Sequence, residues 1–176
     1  MQHQDHVNLI RPGITARGGV WADLGCGAGA FTLALADLLG ADAHIYAVDQ
    51  DQRALHALEA SMHANFKGVT LECLAADFTG QLTLPPLDGI LMANSLHFVR
   101  DKAPLLAQLR TRLRPAGSLL LVEYNVDRGN PWVPYPLAYP TWERFANQHG
   151  FAHTRLLKTV PSRFLREMYS ALSVLA

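Results

Sequence analysis

The chain has 176 residues, 49% of them apolar, with 15 lysines and arginines balanced by 15 aspartates and glutamates, which describes one globular domain with a sizeable core. A formal net charge of zero and only 17% charged residues exclude a disordered chain and a surface built for nucleic-acid backbones. The two cysteines, Cys26 and Cys73, support neither a disulfide framework nor a Cys-based zinc site, and the start Met1–His6 lacks the features of a signal peptide, so a cytoplasmic protein without membrane spans is expected.

In chain order, His3, His6, Asn8 and Arg11 read as a solvated end. A His3/His6 pair has helical spacing, but nothing nearby completes a metal site and none is expected. From Val20 to Tyr124, short apolar runs alternate with stretches of helical period, the pattern of a parallel sheet with helices on its faces. Strands are predicted at Val20–Leu24, His44–Val48, Val69–Ala75, Gly89–Ala93 and Ser118–Tyr124. Phe31, Leu35 and Leu38 mark a helix closed by Gly40, and Leu55, Leu58 and Met62 a second one capped by Asp51. Leu105, Leu109 and Leu113 lie on the stripe of a third, with Pro104 in its first turn. Asn125–Pro140, with its prolines and aromatics, reads as a long surface loop. A short helix through Trp142, Phe145 and Ala146 follows, then two β-like runs, Phe151–Val160 and Phe164–Val174. Their short connection at Pro161 and Ser162 requires antiparallel pairing.

The chemistry concentrates where the first strand ends. Asp23-Leu24-Gly25-Cys26-Gly27-Ala28-Gly29 turns an apolar strand into a helix through three glycines, which bares backbone N–H groups and the positive end of a helix dipole to a ligand. Gly25, Gly27 and Ala30 also satisfy the G-x-G-x-x-G/A pattern of NAD-binding proteins, so an NAD-dependent oxidoreductase is one alternative. Asp23 argues against it, because a carboxylate there repels a pyrophosphate and suits an ammonium or a bound water. Asp49, with Gln50 beside it, closes the second strand where a carboxylate accepts from ribose hydroxyls. Asp77 and Phe78 close the third, positioned to take an adenine amino proton and to stack on the ring. Cys26 reads as a small residue filling the turn. Ribose, adenine and an amino-acid ammonium together describe S-adenosylmethionine, whose demethylated product is S-adenosylhomocysteine.

The segments D-L-G-C-G-A-G at Asp23–Gly29, V-D at Val48-Asp49, A-D-F at Ala76–Phe78 and L-R-P-A-G-S-L-L-L-V-E at Leu113–Glu123 resemble successive motifs of the class I S-adenosylmethionine-dependent methyltransferases over residues 7–124. The resemblance implies a single α/β domain over residues 1–176, of Rossmann-like, doubly wound, three-layer αβα form, with a mostly parallel seven-stranded sheet and an antiparallel C-terminal strand. It also implies methyl transfer by direct displacement. Asn94-Ser95-Leu96-His97-Phe98 further resembles the small-molecule methyltransferases of the ubiquinone-biosynthesis-like group and lacks an N-P-P-Y signature.

Asn94 and His97 fall at the carboxyl edge of the sheet, where ligands of open α/β sheets bind. Asn94 is assigned to the cofactor. His97 is the first candidate for a base or acceptor-orienting group, and Tyr124 the second catalytic candidate. Arg128, Trp132 and Tyr135 are expected to wall the acceptor pocket, the aromatics suiting a flat or apolar molecule and Arg128 an anionic one. The acceptor pocket is left to three sources: the Asn125–Pro140 loop, the N-terminal segment, or a second copy in a homodimer. A cofactor-binding module without catalysis is the remaining alternative.

Overall fold

The computed structural model describes residues 1–176 as five α-helices and seven strands. In order they are α1 (His3–Ile10), β1 (Gly19–Leu24), α2 (Ala30–Leu39), β2 (Ala43–Asp49), α3 (Gln52–Asn65), β3 (Thr70–Ala75), β4 (Leu87–Ala93), α4 (Ala103–Arg112), β5 (Leu113–Tyr124), α5 (Tyr139–Gln148), β6 (Phe151–Ser162) and β7 (Arg166–Leu175). The strands form one sheet in the order β3-β2-β1-β4-β5-β7-β6. β1 to β5 are parallel, and β7 runs antiparallel to both of its neighbours. The expected seven-stranded, doubly wound sheet with its reversed last strand is therefore present.

Alternation along each strand divides the core in two. Ala22, Leu24, Ile90, Met92, Leu119 and Leu121 pack against α4 and α5, where Leu106, Trp142 and Ala146 are buried. Trp21, Ile45, Ala47, Leu91, Leu120 and Val122 point the other way, against α1, α2 and α3. Chain order reverses between β1 and β4, so the crevice above their carboxyl ends is the switch point where such sheets bind ligands. The helix signals hold locally: the Asp51 side chain accepts from the Arg53 and Ala54 amides, Gly40 has φ +78° at the end of α2, and Pro104 lies in the first turn of α4.

Four expectations need correction. The N-terminal segment is not a solvated end: it forms α1, which buries Val7, Leu9 and Ile10, and the Ser170 hydroxyl donates to the Leu9 carbonyl over 2.6 Å. Leu113 does not continue the α4 stripe; it pairs with Leu87 and opens β5. Phe164 does not begin the last strand, because Ser162 pairs with Arg166 and leaves Arg163, Phe164 and Leu165 in the hairpin turn. The predicted loop ends two residues early, at Ala138, because Tyr139 and Pro140 supply the first turn of α5.

Candidate active site

At the tip of β1 the chain must turn without side chains in the way. The Gly25 and Cys26 amides both donate to the Val48 carbonyl, locking the turn onto β2. A Cβ on Gly25, which has φ +77°, would collide with Ser95, whose hydroxyl reaches back to the Leu24 carbonyl at 2.6 Å. Gly27 differs: at φ +52° a Cβ would meet nothing within 4 Å, so its bare backbone faces open space. Gly29 starts α2 with no side-chain cap, leaving the first amides of the helix free for a ligand.

The three carboxylates stand on neighbouring strand tips. Asp49 accepts from the Gly27 amide at 2.7 Å and from the Asp51 amide at 2.9 Å, one on each oxygen, so a lone pair on each remains for an incoming hydroxyl. Asp77 accepts from the Thr79 amide and hydroxyl at 2.8 and 2.7 Å on one oxygen, which holds its carboxyl below the usual range and leaves the other oxygen free. Asp23 is buried and takes one hydrogen bond, from the Thr32 hydroxyl at 2.6 Å. Burial pushes its pKa up to about 7 against the Thr32 bond, and the nearby negative Asp49 adds to the rise. Cys26 shares this environment: burial first, then Asp23 and Asp49, raise its thiol far above the ordinary value, so it is no thiolate despite its place at a helix start.

Two cavities meet at this edge. One of about 420 Å³ is lined by Gly25, Asp49, Gln50, Asp77, Phe78 and Asn94, with Thr79, Ser95, Phe98 and Val99. The second, of about 280 Å³, is lined by Asp23, Gly25, Cys26, Gly27 and Asn94, with the start of α2 and His6 from α1 over it. Gly25 and Asn94 line both. Asn94 has φ +54°, a conformation that asparagine tolerates better than most side chains, and its Oδ1 is buried without a partner. Nine of the ten residues expected at the cofactor line these two cavities; Gly29 lines neither and stands at the head of α2. His3 and His6 go separate ways, His3 to Asp37 at 3.4 Å and His6 edge-on to Phe31. No group of three or more His, Cys, Asp or Glu side chains could hold a metal ion.

His97 lies in the single helical turn Leu96–Phe98 that follows β4, and it lines neither cavity. Its Nδ1 sits 2.9 and 3.1 Å from the two oxygens of Glu123, and its amide donates to the same carboxylate at 3.0 Å. Both side chains are buried. Sequence reasoning gave Glu123 no role: an acid ending an apolar strand carries a signal only once the fold sets His97, 26 residues away, beside it. Tyr124 follows on the opposite face of β5, its ring 5.9 Å from His97, with burial and Glu123 holding its hydroxyl above the usual range. Trp132 and Arg128 are exposed. The backbone of Tyr135 is tied down: its amide donates to the His97 carbonyl at 2.9 Å and its carbonyl accepts from Lys102 Nζ at 2.8 Å. The loop is thereby strapped onto the His97 turn.

A family model described as a methyltransferase domain matches residues 22–119. That description is general and does not single out the ubiquinone-biosynthesis-like group. Among curated proteins no sequence matches this chain. Among solved structures, the YcgJ protein from Bacillus subtilis has a TM-score of 0.75 at 12% identity, covering 98% of this chain and 99% of that one. A SAM-dependent methyltransferase from Aquifex aeolicus has a TM-score of 0.72 at 18% identity, covering 100% of both chains. A phosphoethanolamine N-methyltransferase from Haemonchus contortus, in complex with phosphomonomethylethanolamine and S-adenosylhomocysteine, has a TM-score of 0.74 at 15% identity, covering 98% of this chain and 52% of that one. At these identities the likeness establishes a common fold.

Proposed function

Because this chain belongs to the methyltransferase-domain family, we propose that the double cavity at the carboxyl edge holds S-adenosylmethionine and that the protein transfers its methyl group to a small-molecule acceptor. The observation that carries this is the arrangement of Asp23, Asp49 and Asp77 on three adjacent strand tips around a turn whose Gly27 faces open space. The larger cavity lies within the roughly 300–1,000 Å³ usual for ligand sites and carries the adenosine-binding groups. Asp49 accepts from the ribose, the free oxygen of Asp77 takes the adenine amino group, and Phe78 packs on the ring. In the smaller cavity Asp23 receives the ammonium while the free amides at the start of α2 receive the carboxylate. Asn94, lining both, offers its unpartnered Oδ1 at the junction.

Bound S-adenosylmethionine supplies an electrophilic methyl whose bonding pair returns to sulfur as the acceptor takes the carbon. The chain's own task is to orient the acceptor and accept its proton. His97 is the base: Glu123 fixes the ring through Nδ1 and leaves Nε2 for the acceptor. The NAD alternative has only the glycine pattern behind it, and Asp23 stands where a pyrophosphate would be repelled. No helix is long and apolar enough to cross a membrane. Titration calorimetry of the folded protein with S-adenosylhomocysteine tests the assignment. One site of micromolar or tighter affinity, weakened at least tenfold by Asp49→Ala, is expected; no heat above dilution removes it.

A further inference from the structure

Beside the larger cavity, which Phe98 lines, the exposed surface is aromatic. Phe98, Trp132 and Phe164 are 61%, 71% and 49% exposed, although they come from three separate segments. They belong to one run of rings. Phe98 lies 4.3 Å from His97, His97 5.9 Å from Tyr124, Tyr124 5.7 Å from Phe164, and Phe164 6.4 Å from Trp132 in an edge-on contact. The run passes the buried His97–Glu123 pair and is exposed at both ends, Phe98 and Trp132.

From this geometry we infer that Tyr124, Phe164 and Trp132 form the acceptor wall and that the acceptor is a planar aromatic small molecule bearing an ionisable nucleophile such as a hydroxyl. This deepens the methyltransferase assignment and rests on it. Large apolar rings left in water are costly, and rings mutually set at 51–80° offer both faces and edges to a flat ligand. The wall carries no charged side chain of its own. Tyr135, another ring of the same loop, has Lys102 Nζ 6.0 Å from its centroid. A small ammonium or phosphate compound would bury little against such a wall. A flat ring laid along it points its substituent inward to His97, where the proton goes to Nε2 while Glu123 holds Nδ1. Phe164 is then a specificity-determining residue contributed by the β6–β7 turn, and the exposed ring of Trp132 completes the wall.

The experiment is a calorimetric titration of 2-naphthol into protein saturated with S-adenosylhomocysteine, repeated with Phe164→Ala, Trp132→Ala and, as a control on an exposed apolar residue away from the wall, Leu156→Ala in β6. Wild type and Leu156→Ala are expected to bind 2-naphthol alike, and the two wall variants about tenfold more weakly. Unchanged melting temperature and unchanged S-adenosylhomocysteine affinity would show that those variants are folded and that the loss is local. If S-adenosylhomocysteine binds but 2-naphthol does not, or binds the wall variants as well as wild type, the acceptor assignment is overturned while the cofactor assignment stands. Failure of S-adenosylhomocysteine itself to bind wild-type protein overturns the assignment on which this one rests.

Discussion

Replacing Asp23 by asparagine should stabilise the empty protein while removing its affinity for the cofactor, two effects of opposite sign from one atom. The carboxyl titrates near 3.8 in an unfolded chain and at about 7 in the folded one, chiefly because burial disfavours its charge. The folded state therefore holds a proton that the unfolded state has released, and stability is lost as pH rises from about 4 to about 7. The whole interval of about three units corresponds to roughly 4 kcal/mol. At pH 5 only about 1–2 kcal/mol of that has been lost. Asparagine keeps an oxygen that can accept from Thr32 and has no charge to bury, so Asp23→Asn should gain about 2–3 kcal/mol more at pH 8 than at pH 5. Urea denaturation at the two pH values measures the gain. Calorimetry with S-adenosylhomocysteine at pH 8 should show at least a tenfold loss, and wild-type affinity should itself fall as pH drops below 7, because the ammonium requires the ionised carboxylate. A variant no more stable at pH 8 than wild type, or one that binds the ligand equally well, would refute this account of Asp23.

Other substitutions separate the roles of neighbouring groups. Gly27→Ala meets no atom of the folded chain, so it should cost only about 1–2 kcal/mol for the left-handed backbone while cutting S-adenosylhomocysteine affinity at least tenfold, as urea denaturation and calorimetry would show. Glu123→Ala strands the His97 ring and the His97 and Tyr124 amides together, and should destabilise by about 3 kcal/mol or more in urea with cofactor affinity within twofold of wild type. Lys102→Met keeps the stem but abandons the Val99 and Tyr135 carbonyls. A loss of about 1–3 kcal/mol and faster hydrogen exchange at the Tyr135 amide are expected.

What the sequence disclosed and what it hid follow the range of the interactions. The glycine turn, Asp49 and Asp77 are legible because each stands at a strand end, and strand ends follow from period and punctuation. Helix α1 escaped because His3, Gln4, Asp5, His6 and Asn8 dilute three apolar residues. Its stability comes from packing Val7, Leu9 and Ile10 on α2 and the far strands, which no window of eight residues records. Leu113 continued a helical stripe by coincidence of spacing, and pairing with Leu87 overrode it. The partnership of His97 with Glu123, the strap from Lys102 to Tyr135 and the approach of Phe164 to Tyr124 span 26, 33 and 40 residues, and only the sheet brings them together.

The two buried acids of the sheet edge show how the same alternation serves opposite ends. Asp23 shares its parity with Trp21 and faces α2, whereas Glu123 shares its parity with Leu119 and Leu121 and faces the α4–α5 side. Glu123 is supplied from within the chain: two amides and an imidazole nitrogen converge on it. Asp23 has a neutral hydroxyl and, nearby, another negative charge. An acid in that position resists ionisation until something brings a cation to it, and no lysine or arginine lines the cavity it faces. His6, which also lines it, is held toward its neutral form by burial. Under the proposed function the missing charge comes from the ligand, entering beside a bare glycine and a helix start that attracts anions. A molecule carrying an ammonium and a carboxylate on one carbon would meet both demands at once, so in the proposed function the amino-acid end of the cofactor, rather than its adenosine, distinguishes this glycine turn from one built for a dinucleotide.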